Sequence, residues 1–276
     1  MGVVVQRAGE NRAGDRAFLG VSALLFAICT ALTIEWCASM SAMGGMSMTG
    51  RWTMSMTWMR MPGQTWLAAA ASFVTMWVVM MAAMMLPSLV VMQRRYRRAV
   101  VGVAGVGGVD RASLAVLSAL IGAGYFAVWA AIGTAAFVLG AALAAALMER
   151  PALARVAPLA SGLTLLLAGA YQSSTWKIHF PACCREAPGR NSGLPARAGS
   201  AWRQGVRFGL HCSGCCAGLT AALVTSGLMD LRAMTVVTAA IVAERFAPSG
   251  AGVARMTGVV IVAAGVVVIV RAVGAE

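Results

Sequence analysis

Apolar residues fill most of the chain in long runs, broken by short stretches that carry glycine, proline and arginine. At about 20 apolar residues per bilayer crossing, the runs place spans near 18–36, 66–92, 113–147, 152–173, 206–229, 232–247 and 253–270. The pattern predicts an all-α polytopic transmembrane helical bundle of about seven crossings, with six as the alternative. The 113–147 run is longer than one crossing needs and has room to tilt or protrude, whereas 232–247 is short and ends in Glu244 and Arg245. The chain then divides into a cytoplasmic N-terminal segment, 1–17, and a single transmembrane helical domain, 18–276, with an outer loop at 38–64 and a cytoplasmic loop at 174–204. The first span follows Arg7, Arg12 and Arg16 as a signal peptide would, but its apolar run is too long and lacks a small-residue cleavage site, so it reads as an anchor.

Composition agrees with the pattern. Of 276 residues, 60% are hydrophobic and 11% charged, against about 25% charged in soluble domains, which excludes an ordinary soluble enzyme. The 22 basic residues exceed the 9 acidic ones by 13, and all but Lys177 are Arg. They collect at span ends rather than on one aromatic-studded face, so the excess encodes topology and not nucleic-acid binding. Arg7, Arg12 and Arg16, then Arg94, Arg95, Arg97, Arg98 and Arg111, then Lys177, Arg185, Arg190, Arg197 and Arg203 assign the N-terminus and two loops to the cytoplasm. Outer segments hold Arg51 with Arg60 and Arg150 with Arg155, and Trp36, Trp66, Trp176 and Trp202 fall near span ends, where indoles prefer to sit. The expectation is a multi-pass protein of the cell inner (plasma) membrane. Phosphate-binding glycine loops, nucleophile elbows and metalloprotease motifs are absent from the sequence, so nothing argues for nucleotide-driven pumping or hydrolysis, and the chain reads as a non-enzyme.

Methionine is the compositional anomaly: 14 of the 19 lie between residues 40 and 92. Met40, Met43, Met46, Met48, Met54, Met56, Met59 and Met61 crowd the outer loop in M-x-x-M and M-x-M spacings, within Ser-, Thr- and Gly-rich sequence. A flexible polar loop has no interior for Met to fill. Thioethers select Cu(I), whereas Zn(II) prefers thiolate, imidazole and carboxylate, so the loop reads either as a soft-metal binder or as an adaptable apolar contact for a membrane surface or partner. The second span continues with Met76, Met80 and Met84 on one i, i+4 stripe and Met81 and Met85 beside it. That stripe suits either soft-cation exchange between neighbouring sulfurs or ordinary apolar packing.

Five of the seven Cys and both His fall in two short stretches: His179, Cys183 and Cys184 in the cytoplasmic loop, then His211, Cys212, Cys215 and Cys216 at the opening of the fifth span. On a helix, His211 with Cys215 and Cys212 with Cys216 are i, i+4 pairs, which groups four ligand-type side chains within two turns. Arg203, Arg207 and the start of a helix nearby favour the reactive thiolate. Three readings stand side by side: a metal site for Cu(I) or Zn, a redox-active C-x-x-C pair of Cys212 and Cys215, and small apolar packing residues. Gly205, Gly209, Gly214 and Gly218 repeat every four or five residues and suit close helix packing that would bring Cys183 and Cys184 to the site. Glu35, Asp230, Arg232 and Glu244 sit near span ends, where hydration and pairing suffice to explain them. Cys29 and Cys37 look like ordinary apolar cysteines, although Cys37 adjoins the Met-rich loop.

Several motifs together resemble a family of predicted metal-binding integral membrane proteins, domain-of-unknown-function family 2182, over roughly residues 66–270. They are Met76-Trp77 with Met80 and Ala83-Met84-Met85-Leu86-Pro87; Ala170-Tyr171-Gln172 followed by Lys177, Cys184 and Arg185; Gly209-Leu210-His211-Cys212-Ser213-Gly214-Cys215-Cys216; and Gly227-Leu228-Met229-Asp230-Leu231 through Ala243-Glu244-Arg245. The resemblance implies metal handling, chiefly of copper, with some members similar to membrane chaperones that load copper oxidases. Two positions depart from the family pattern: Phe180 stands where the first Cys of a K-x-x-C-L-x-x-C-R run belongs, leaving Cys183 or His179 as the substitute, and Ala217 replaces a Trp.

The reading that follows is a Cu(I)-binding membrane protein that captures, holds or delivers copper by ligand exchange. Its partners would be the lipid bilayer, the metal ion, a copper-dependent oxidase or other acceptor and, as a further expectation, a second copy of the chain in a homo-oligomer, with no nucleic acid. The alternatives are a thiol-disulfide redox protein using Cys212 and Cys215 and a metal-free accessory subunit of a membrane complex.

Overall fold

The computed structural model describes residues 2–44, 46–48, 52–60, 63–103, 111–177, 197–247 and 249–274. It is all-α apart from one small ribbon. Helix α1 (Gly2–Met43) leads into antiparallel strands β1 (Met46–Met48) and β2 (Trp52–Met54), with Met46 opposite Met54 and Met48 opposite Trp52, and a single 3-10 turn at Met56–Trp58. Helices α2 (Trp66–Val103), α3 (Arg111–Glu149), α4 (Pro151–Ser173), α5 (Ala198–Ser226), α6 (Leu231–Phe246) and α7 (Gly250–Val273) follow. The Met-rich segment is therefore a hairpin in part, not the wholly irregular loop its Ser and Gly content suggests.

Among the described residues, six helices, α1 to α5 and α7, are long and apolar enough to cross a membrane, and the chain is a multi-pass membrane protein. The seventh expected crossing, 232–247, is the 16-residue α6, which spans about 24 Å against a hydrocarbon core of about 30 Å. It still packs one face on the bundle, with Met234, Val237, Ile241 and Glu244 buried. Met234 near its start packs against Cys37 near the end of α1, and Glu244 near its end pairs with Lys177 just after α4. The segment expected to precede the first span, 1–17, is continuous with it in α1.

Small residues set the helix spacing. Gly162 and Gly169 of α4 meet Gly265 and Gly258 of α7, where an added Cβ at Gly169 would stand 2.7 Å from the Gly258 carbonyl and one at Gly265 would stand 2.9 Å from that of Gly162. The equal spacing, with opposite chain direction, makes an antiparallel seam that only small residues allow. Gly205 and Gly209 of α5 press against Ile121, Tyr125 and Val128 of α3, while Gly218 presses against Ala168 of α4. The expected glycine face is thus shared between two neighbours. At the hairpin end Trp58 packs on Phe73, with ring centroids 5.2 Å apart, and Trp77 donates its indole N–H to the Trp129 carbonyl at 3.0 Å.

At the opposite end α1 is tied to α2 by Arg94 and Asp15, 3.2 Å apart, and Arg97 lies over the Phe18 ring. The core is unusually rich in sulfur: Met80, Met81, Met84, Met85, Cys212, Cys215 and Cys216 are all buried in it.

Candidate metal centre

The glycines of α5 let α3 approach closely enough for Tyr125 to reach Cys212. Its hydroxyl donates to the Cys212 Sγ at 2.9 Å. From α2, the Met85 Sδ lies 3.8 Å from the same sulfur. From α6, the Arg245 guanidinium donates to Cys212 at 2.8 Å and to Cys216 at 3.5 Å. Cys212 and Cys216, one helical turn apart, also interact with each other. Four helices therefore converge on two thiols and a thioether that water does not reach, with Cys212, Cys216 and Met85 all essentially inaccessible.

A second polar group holds this one in place. Tyr171 donates to the Gly214 carbonyl at 2.7 Å, fixing α4 to the turn of α5 that carries the cysteines. Glu244, next in the chain to Arg245, accepts from Gln172 and pairs with the Lys177 ammonium at 2.5 Å. Lys177 is 1% exposed and Glu244 7%. Glu244 is paired, as expected of a charge near a span end, but it is buried and not hydrated: its partner is a buried lysine from another helix end, which compensates the desolvation of both.

The cysteines themselves also sit differently from the expectation. Helix α5 begins at Ala198, so Cys212 lies 14 residues inside it and not at its opening. The favourable field of a helix N-terminus fades within the first turn, and the positive charge at the thiols comes from Arg245 instead. Among the described residues no three His, Cys, Asp or Glu side chains converge closely enough to hold a metal ion, so His211, Cys212, Cys215 and Cys216 do not by themselves form a closed site. Cys215 is buried beside them and His211 is half-buried.

Of the other residues singled out in the sequence, His179, Cys183, Cys184 and Met61 lie outside the described residues, as do the side chains of Met43, Met48, Met54 and Met56. Met40, Met46 and Met59 are half-buried at the hairpin end. On α2, Met80 and Met84 of the i, i+4 stripe are buried and Met76 is half-buried, yet the thioether that meets Cys212 is Met85, from the neighbouring row. Sequence reasoning missed Tyr125 and Arg245 as members of the centre. Arg245 was visible in the sequence as the end of the Ala243-Glu244-Arg245 motif, which gave it no role, and Tyr125 stood in none of the motifs.

Comparison with known proteins bears on what such a centre serves. No curated protein and no solved structure matches the chain. The family model for PpoB2, described as a copper chaperone, matches residues 74–268, well over half of the sequence, and takes in α3 to α6 and most of α2 and α7, hence every residue of the centre. The resemblance drawn from the motifs and this match agree, and they support a copper-related role. The chain belongs to the PpoB2 copper chaperone family.

Proposed function

We propose that the protein takes Cu(I) as cargo on the sulfurs of Met85, Cys212 and Cys216 inside the bundle and passes it by ligand exchange to a copper-requiring acceptor, such as a copper-dependent oxidase. The observation that carries this reading is a buried pair of thiols under one guanidinium, with a thioether against the first of them. Thiolate with thioether is a donor set that selects Cu(I). Charge favours the same ion. Two thiolates, one Cu(I) and the Arg245 guanidinium sum to zero, which suits a low-dielectric interior, whereas Zn(II) in the same place leaves a net positive charge. Each thiol gives up its proton as its bond to copper forms, and no electron moves.

Exchange needs ligands on either side. Cys215 and His211 flank the pair on α5. The chain after Lys177 carries His179, Cys183 and Cys184, which on this reading are the ligands of the cytoplasmic side. On the other side, Met76, Met80 and Met84 and the eight Met of 40–61 are the capture ligands, with the N-terminus in the cytoplasm.

Anaerobic titration of the detergent-purified full chain, with a chromogenic Cu(I) chelator as competitor, tests the assignment. One tightly held Cu(I) is expected to disappear when Cys212 and Cys216 are both replaced by Ser. Equal affinity in the two proteins overturns it.

A further inference from the structure

A second sulfur cluster lies at the hairpin end of the bundle, away from the centre described above. The Cys37 Sγ of α1 stands 3.9 Å from the Met229 Sδ and 3.7 Å from the Met234 Sδ. We propose that Cys37, Met229 and Met234 form a separate binding site for one soft monovalent cation, Cu(I).

Three observations carry it. The first is convergence: the sulfurs come from α1, from the turn between α5 and α6, and from the first turn of α6. Most of the described side chains of α1 are exposed or half-buried, and Cys37, at 1%, is more deeply buried than Ser22 or Thr33. The helix therefore presents a thiol where it is best shielded, and two thioethers meet it there. The second is size. With metal–sulfur bonds of about 2.3 Å, a trigonal three-sulfur centre has its sulfurs about 4 Å apart, so both measured edges are within a few tenths of an ångström of what the bound ion requires.

The third observation is charge. One thiolate and Cu(I) are together neutral, and two thioethers add no charge, so the occupied site carries little penalty for burial. A divalent ion would leave a buried positive charge. Asp230, which follows Met229 and caps α6 by accepting from the Arg232 and Ala233 backbone N–H groups, lies within electrostatic reach of Cys37 and favours a cation there. Binding exchanges the Cys37 thiol proton for Cu(I) with no change of oxidation state. Helix α6 connects this site to the other: Met234 and Arg245 are 11 residues apart in the sequence, about 16 Å along the helix.

The test follows Cys37 itself. Full-length protein in detergent, reduced and anaerobic, is alkylated with a maleimide at increasing free Cu(I), and the modified peptides are quantified by mass spectrometry. Cys29, eight residues earlier on α1, serves as internal control. At free Cu(I) about ten times the dissociation constant, the Cys37 reaction slows about tenfold, while that of Cys29 does not change. Met229→Leu with Met234→Leu, which nearly conserves volume, removes the protection. Protection persists in the Cys212→Ser, Cys216→Ser protein, so failure of either site leaves the other readable. Cys37 alkylation indifferent to Cu(I) in the unmodified protein overturns the proposal, and so does protection that survives the double Leu replacement.

Discussion

A guanidinium held 2.8 Å from Cys212 and 3.5 Å from Cys216 is costly inside an apolar bundle unless negative charge develops at those sulfurs. Arg245→Gln keeps much of the side-chain bulk and removes the charge. Hydrogen bonds to charged groups contribute about 1.5–3 kcal/mol, so this variant is expected to bind Cu(I) about 10- to 100-fold more weakly in a chelator competition, and Arg245→Lys, which keeps the charge but loses the fork, to fall between. Tyr125→Phe removes one hydrogen bond to the same sulfur and should cost a smaller factor, about fivefold. The sequence made the thiols visible through their spacing, showed the arginine only as the end of a motif with no role attached, and hid the tyrosine. Cys212 and Cys216 are neighbours on one helix by rule, whereas Tyr125 and Arg245 reach them only through the packing of α3 and α6, and residue spacing carries no record of that.

Lys177 and Glu244 act at the scale of whole elements, joining the end of α4 to the end of α6 and thereby placing Arg245. Removing one partner of a buried pair leaves the other charge uncompensated, at about 3–5 kcal/mol, whereas replacing both by apolar residues is close to neutral. Lys177→Met alone should therefore lower the thermal unfolding midpoint in detergent sharply, and adding Glu244→Leu should recover most of it. Where α5 meets α3, Gly209→Leu drives a side chain into Val128 and the Tyr125 carbonyl, which a Cβ alone would approach to 2.9 and 3.0 Å. That variant should lose copper binding together with stability, measured by the same two assays. The elements themselves were legible: every long apolar run is a helix, and Gly205, Gly209 and Gly218 of α5 are contact points. Their exact extent was not, because apolar periodicity marks where a helix meets lipid and says little of where it continues into arginine-bearing sequence, as α2 does to Val103 and α5 from Ala198. The short α6 shows the converse. Its length argues against a crossing, yet it is held in the bundle by sulfur contacts at one end and an ion pair at the other.

For the molecule as a whole, cargo that binds only the folded state must stabilise it. At free Cu(I) about 100 times the dissociation constant the gain is about 2.7 kcal/mol, enough to raise the unfolding midpoint by a few degrees in a chain of this size. The shift should be largest in the unmodified protein, fall when Cys212 and Cys216 are Ser, and vanish when Cys37 is also Ser, since each cluster contributes its own linkage. Because each thiol releases a proton on binding, the stabilisation at fixed Cu(I) should grow as pH rises. A thiol-disulfide protein behaves differently, its midpoint following the redox buffer and not the metal, and a metal-free accessory subunit responds to neither. An unfolding midpoint that stays constant across Cu(I) concentration and pH would therefore remove the cargo reading at both clusters at once, while a shift confined to the protein with intact Cys212 and Cys216 would place the copper at the Arg245 centre alone.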